Sequence, residues 1–228
     1  MDRGARSREE LLDAAERLIA EHGFEVPLRD IAKAAGQRNN SAVNYYFRSR
    51  QDLIDAVVAR RLVPMEAERQ AMLDGMTPDE MADPKALIRV LVRPFLHSEG
   101  THYARFLEVV RLRLNREPQS PAESAWPRIT GAMDRLVPVA DRGARIRRVA
   151  AVATSMWALL ADHERRVENG EASPDGLEDI VSMLAAMLTA PPSADAPAAA
   201  PAIRNRDRGY AGDTVTTISE ALSTGGGQ

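Results

Sequence analysis

Apolar residues recur at helical spacing along almost the whole chain, and no segment alternates apolar and polar residues as a half-buried strand would. Leu11, Leu12, Ala15, Leu18 and Ile19 form one stripe, and Leu177, Ile180, Val181, Leu184 and Leu188 form another far along the chain. A chain patterned this way buries its apolar faces by packing helix against helix. The fold class expected is all-α.

The first helix is expected to begin at Ser7, with Glu10 completing a capping box, and to stop at Gly23. A short second helix is expected near Leu28 to Ala35, ending at Gly36. After the turn "GQRNN" comes a short third helix, about Ser41 to Phe47. Ser49 is placed to cap a fourth helix, with Asp52 as its acidic third residue. Short helix, tight turn, short helix is the arithmetic of a helix-turn-helix.

Further along, Lys85 to Glu99 reads as a helix containing Pro94, which removes a backbone hydrogen bond and kinks it. Tyr103, Phe106, Leu107, Val110 and Leu114 stripe the next. Another starts at Pro127, because the residue before a proline disfavours helix. Asp141 caps a long helix with the stripe Ile146, Val149, Ala153, Met156 and Leu160. Ser173-Pro174 opens the last one. Residues 190–228 are rich in Ala and Pro, lack the apolar content to order themselves, and read as a disordered tail. The domain reading is therefore 1–60, 61–189 and a tail at 190–228.

The third helix carries the chemistry. "NNSAVNYYFRSRQDL" sets amides, two tyrosines and two arginines close together in a chain of formal charge −3. A recognition helix presents its N-terminal residues to base edges in the major groove. Asn pairs bidentately with adenine, which suits Asn39, Asn40 and Asn44, with Arg38 beside them in the turn. Tyrosine hydroxyls, and Arg48 and Arg50 at the next helix start, suit phosphate oxygens. From Arg38 to Arg61 five arginines stand against Asp52 and Asp55, so the stretch is locally basic. Tyr45, Tyr46 and Phe47 are consecutive and point about 100° apart, so they cannot all face one core. Phe47 is the expected core residue, and at least one tyrosine is expected outside.

With the capped first helix before it, "LRDIAKAAGQRNNSAVNYYFRSRQDLIDAVVARR" resembles the DNA-binding domain of the tetracycline-repressor family of transcriptional regulators. The resemblance covers about the first 60 residues. It rests on Gly23-Phe24, Ile31-Ala32, Ala35-Gly36, Tyr46-Phe47, Ser49-Arg50 and Asp52-Leu53. It implies an N-terminal three-helix DNA-binding domain followed by a helical ligand-binding and dimerisation domain. It further implies that Asn44 and Tyr45 reach bases, that Tyr46 and Arg50 hold phosphates, and that Asn39 and Asn40 lie where the recognition helix begins. The DNA-facing set is then Arg38, Asn39, Asn40, Ser41, Asn44, Tyr45, Tyr46, Arg48 and Arg50. Three features depart from the family's pattern. The turn "QRNN" is one residue longer, Asn44 stands where an aromatic is common, and Pro27-Leu28 opens the second helix without the usual hydroxyl.

The partners implied are a double-stranded operator, a small-molecule effector and a second copy of the chain. The resemblance offers Phe95, Tyr103, Phe106, Trp126, Met133 and Trp157 as effector liners. Packing in an ordinary core is the competing reading for each. The stripes Val149, Val152, Met156, Leu159 and Ile180, Leu184, Met187 are expected to pair with a twofold copy as a four-helix bundle; the alternative is that they face only their own domain.

Other classes find less support. No cysteine is present, so thiolate chemistry is absent. His22, His97, His102 and His163 have no ligand-like spacing, so neither a metal site nor a cofactor is expected. No nucleophile elbow, phosphate loop or paired-carboxylate motif is found, and the chain is not read as an enzyme. No apolar run reaches the roughly 20 residues of a membrane span, and charges occupy the place of a signal peptide's apolar core. A soluble, cytoplasmic protein is expected, with no membrane partner. An all-helical small-molecule-binding protein or enzyme without a DNA role is the alternative, and an adaptor acting through the tail is a third.

Overall fold

A computed structural model describes residues 3–37, 41–98, 102–111, 113, 125–173 and 175–192. Every regular element among them is helical: α1 (Arg3–His22), α2 (Leu28–Ala34), α3 (Ser41–Tyr46), α4 (Arg50–Gly75), α5 (Pro78–Met81), α6 (Pro84–Val92), α7 (Tyr103–Val110), α8 (Trp126–Leu136), α9 (Arg142–Glu168) and α10 (Gly176–Thr189). None of the described helices is long and apolar enough to cross a membrane. The tail beyond residue 192 lies outside the described residues, as does Leu114.

The chain divides into two compact units. One holds residues 1–65, 95–115 and 160–172; the other holds 66–94, 116–159 and 173–228. In the first, α1 packs on α2 and α7, and α2 on α3. The stripe read from the sequence is its core: Leu11, Leu12, Ala15 and Ile19 are fully buried, joined by Ile31, Leu53, Ile54 and Phe106. Each large apolar side chain so removed from water contributes roughly 1.5–3 kcal/mol.

One helix start and one helix end differ most from the sequence expectation. Helix α1 begins at Arg3, so Ser7 lies within it and does not cap it. Arg3, Ala5 and Arg6 favour helix and carry Gly4 with them, and a capping box marks a start only where the preceding chain leaves the helix. The helix expected over Lys85 to Glu99 is α6 from Pro84 to Val92, continued by a 3₁₀ turn at Arg93–Ser98. Pro94 has no N–H for the carbonyl four residues back, so the chain tightens there instead of continuing.

Helix α8 starts at Trp126, one residue before the expected Pro127, because a proline in the first helical turn is tolerated there; the signals at Ser49 and Asp141 hold. Ser49 Oγ accepts from the Asp52 N–H at 3.1 Å, while Asp52 Oδ2 accepts from the Arg48 N–H at 2.8 Å. Asp141 Oδ2 accepts from the Ala144 N–H at 2.6 Å at the start of α9. Helix α5 is set by a capping box in which Thr77 and Glu80 satisfy each other's backbone N–H groups. Helix α4 runs past residue 60, with Pro64 inside it.

The second unit packs α6 on α5, α8 and α10, and α10 on α8. Leu87, Leu91, Ile129, Met133, Val152, Leu184 and Leu188 are its buried centre. Val149, Met156 and Ile180 are buried there too. Most of the two stripes expected to pair with a second copy are therefore covered by the chain's own fold. What α9 and α10 leave outside is a different face: Ala151, Thr154 and Ala158 on one, Met183, Ala186 and Met187 on the other. Ile146, counted in the apolar stripe of α9, is also exposed, at 44%.

Candidate nucleic-acid interface

Helix α3 has only six residues, too few to hold itself in water. Packing holds it. Val43 and Phe47 on its inner side are 1% and 2% exposed, beside buried Ile31 and Ala35 of the preceding helix and turn. Gly36, at φ +69°, supplies the left-handed residue that ends α2 and turns the chain toward α3. Its N–H and that of Gln37 close the helix end on the carbonyls of Lys33 and Ala32.

With Val43 and Phe47 inside, the residues between them face out. Asn44 is exposed, and Tyr45 is 81% exposed. Tyr46 is half-buried and meets Tyr45 edge to face, with ring centroids 4.9 Å apart at 89°. Tyr46 also lies 6.4 Å from the Phe47 ring, over which Arg8 places its guanidinium at 5.4 Å. The pattern of one aromatic in and one out is what three consecutive helical positions require.

The arginines divide by what they touch. Arg48 is exposed. Arg50 Nη1 donates to the Phe24 carbonyl at 2.8 Å, and its guanidinium lies 5.8 Å from the Phe24 ring, which fixes its position. Arg60 and Arg61 do not belong to an open basic patch. Arg60 pairs with Glu9, Asp13 and Glu16 at 3.2, 2.7 and 2.9 Å, and Arg61 Nε with Glu16 at 2.9 Å. The local basic excess read from the sequence is thus partly neutralised by acidic residues of α1, 40 or more positions earlier. The Arg60 guanidinium is held above its ordinary value: burial works against the charge, and the hydrogen bond to Asp13 and the charges of Glu16 and Asp13 outweigh it. Arg38, Asn39 and Asn40 lie outside the described residues, as does the side chain of Ser41.

The residues offered as effector liners fall in both units. In the first, Phe95, Tyr103 and Phe106 form a stack, with centroids 6.0 and 6.2 Å apart and planes within 19° and 17°. Phe95 is half-buried, while Tyr103 and Phe106 are closed off from solvent. In the second, Trp126 and Met133 are buried and Trp157 is half-buried. Back in the first unit, Arg105 is turned inward, at 8% exposure. Its Nε and N–H donate to Glu164 Oε2 at 3.2 and 3.0 Å. Burial pushes the Glu164 carboxyl above its ordinary value, opposed by hydrogen bonds from the N–H groups of Arg105 and Ala104. Glu164 in effect caps the start of α7, a role that sequence reading missed because the two residues are some 60 positions apart.

Residues 11–57, from within α1 into α4, match the model of the bacterial regulatory proteins of the tetR family. No curated protein matches the chain. Among solved structures, that of a candidate transcriptional regulator from Rhodococcus sp. RHA1 is similar at 20% identity and a TM-score of 0.43, covering 80% of this chain and 95% of that one. The match covers the helix-turn-helix, and over residues 11–57 this chain is similar to the bacterial regulatory proteins of the tetR family.

Proposed function

We propose that the chain is a ligand-responsive transcriptional repressor that binds a palindromic operator as a homodimer and leaves it when a small molecule binds. The observation that carries the reading is the pair Asn44 and Tyr45, held outward by the burial of Val43 and Phe47 on either side. An amide and a phenol presented on a short anchored helix are groups that read base edges and phosphates, and a folded core has no use for them there. In this reading Arg38, Asn39, Asn40, Ser41, Asn44 and Tyr45 face the groove. Tyr46, Arg48 and Arg50 grip the backbone.

One such helix reads few bases, so two copies reading successive major grooves roughly 34–36 Å apart make the specific complex. The exposed residues Ala151, Thr154 and Ala158 on α9 and Met183 and Met187 on α10 favour a second copy as what covers them. Small residues let helices approach closely, and the methionines adapt to fill the seam. The effector would act by binding one spacing of the two heads better than the other.

The test is a gel-shift titration of the purified chain on duplexes from the intergenic DNA upstream of its own gene, with unrelated duplex as competitor. Selective retardation of an inverted repeat supports the reading. Indifference to every duplex at low salt, where electrostatic binding is strongest, would sink it.

A further inference from the structure

Two glutamates stand where helices least favour them. Glu21 is one residue from the end of α1, and Glu168 is the last residue of α9. Both carboxylates thus sit at the negative ends of helix dipoles. His102, the residue before α7, lies between them. Its Nε2 is 3.8 Å from Glu21 Oε1 and 3.7 Å from Glu168 Oε1, and one donor atom from each of the three residues lies within 4.8 Å of the others.

The remaining oxygens are held from outside. Glu168 Oε2 pairs with Arg105 Nη2 at 2.6 Å, while Glu21 Oε2 faces Arg17 Nη1 at 3.6 Å and His22 Nε2 at 3.7 Å. The backbone N–H of His102 donates to buried Glu16 at 3.2 Å, which fixes the residue by its main chain. One oxygen of each glutamate and one imidazole nitrogen thus lie within 4.8 Å of one another. Their separations of 3.7 and 3.8 Å exceed the 2.7–3.2 Å of a direct hydrogen bond. A bridging ion fits that spacing better than a shared proton does.

We propose that Glu21, His102 and Glu168 bind one divalent transition-metal cation of the zinc class, clamping the ends of α1 and α9 to the start of α7. An imidazole with two carboxylates is a three-ligand set that leaves room for water on the metal. Bonds of about 2.0–2.2 Å place ligand atoms roughly 3.3 Å apart, so closure needs each glutamate to move about half an ångström toward His102 and the two carboxylates to approach each other by up to about 1.5 Å. Glu21 and Glu168 are exposed and have the freedom to move this far. A groove of about 750 Å³, lined by Glu10, Asp13 and Glu16 together with Arg17 and Arg61, runs up to His102 and leaves it open to an ion from solvent. Histidine in the set disfavours magnesium and calcium, which take oxygen ligands. Binding of the cation stands apart from any reading of DNA.

The test is titration of the chelator-treated full chain with Zn²⁺, Co²⁺ and Mg²⁺ by calorimetry, with the Co²⁺ ligand-field band as a second readout. The wild type is expected to take one Zn²⁺ or Co²⁺ per chain and to ignore Mg²⁺. His102→Ala is expected to lose more affinity than the roughly 10–100-fold that removing an outer partner of a metal site costs. Glu21→Gln, at an exposed position that leaves packing untouched, is expected to weaken binding by at least about tenfold even if His102→Ala does not fold. Absence of Zn²⁺ binding at about 1 mM, equal affinity in Glu21→Gln and wild type, or equal affinity for Mg²⁺ each overturns the proposal.

Discussion

Glu16 Oε2 accepts a hydrogen bond from Arg60 Nη2 over 2.9 Å, joining the middle of α1 to α4 across 44 positions of sequence. The same carboxylate takes Arg61 at 2.9 and 3.2 Å and the His102 N–H at 3.2 Å, while its own side chain is only 3% exposed. A buried acid with this many donors is a fastening between helices. Glu16→Leu would strand the Arg61 guanidinium and the His102 N–H beside an apolar residue, while Arg60 keeps Glu9 and Asp13. We predict a loss of about 3–5 kcal/mol, the usual cost of breaking a buried pair. Chemical denaturation of the two proteins measures it; a loss below about 1 kcal/mol would place the pair among ordinary surface contacts.

Asn44 is exposed between two buried residues, so its replacement leaves the fold alone. If it reads a base, Asn44→Ala relaxes preference at one operator position by about 1–3 kcal/mol and spares the others. Competition binding across single-position operator variants reveals this. An unchanged preference profile would remove Asn44 from the recognition surface.

Arg48 offers the cleaner phosphate contact, since Arg50 already donates to the Phe24 carbonyl. Arg48→Ala is expected to weaken binding to every sequence alike. The slope of log affinity against log salt should fall by about 0.9, the value for one released counterion. A change confined to one sequence would point to base contact instead.

Arg89 grips Glu178 with two nitrogens, at 2.7 to 3.2 Å, on an exposed surface. The hydrogen bond from Arg89 holds the Glu178 carboxyl below its ordinary value of 4.5. The folded state therefore keeps this proton off more strongly than the unfolded chain does. Its contribution is present above the ordinary value and disappears as pH falls from there through the folded-state value. Glu178→Gln should lower the melting temperature slightly near neutrality, by no more than the roughly 1 kcal/mol of an exposed pair. The gap to wild type should close in acid. A gap that widened in acid would contradict the sign of the shift.

Met183 and Met187, 49% and 38% exposed, form the apolar part of the face left open on α10. Replacing both with glutamate is predicted to leave helicity unchanged and shift the chain toward monomer in sedimentation equilibrium. Like charges would oppose each other across a twofold axis. Identical assembly in the double variant would locate the interface elsewhere.

Most of the helix-turn-helix was legible from local signals. Gly36 ends one helix, Ser49 caps another, and Val43 and Phe47 stand four apart on one face with Asn44 and Tyr45 between them. Such features need only backbone geometry and helical period, which a sequence carries within a few residues. The helix beginning at Arg3 was missed for the complementary reason: the box at Ser7 resembles a start wherever the preceding residues also favour helix.

Which face of a helix is spent on its own fold is a different matter, and tertiary structure alone decided it. The sequence shows apolar stripes on α9 and α10. Only packing reveals that Val152 and Leu184 are consumed internally while Met183 and Met187 stay outside. Arg60 and Arg61 read as basic until α1 supplies Glu9, Asp13 and Glu16. His102 looks solitary until the ends of two distant helices bring Glu21 and Glu168 within 4 Å of it. Helical period is set by neighbours a few residues apart, whereas charge pairing and donor clusters depend on which helices meet, and chain spacing does not encode that.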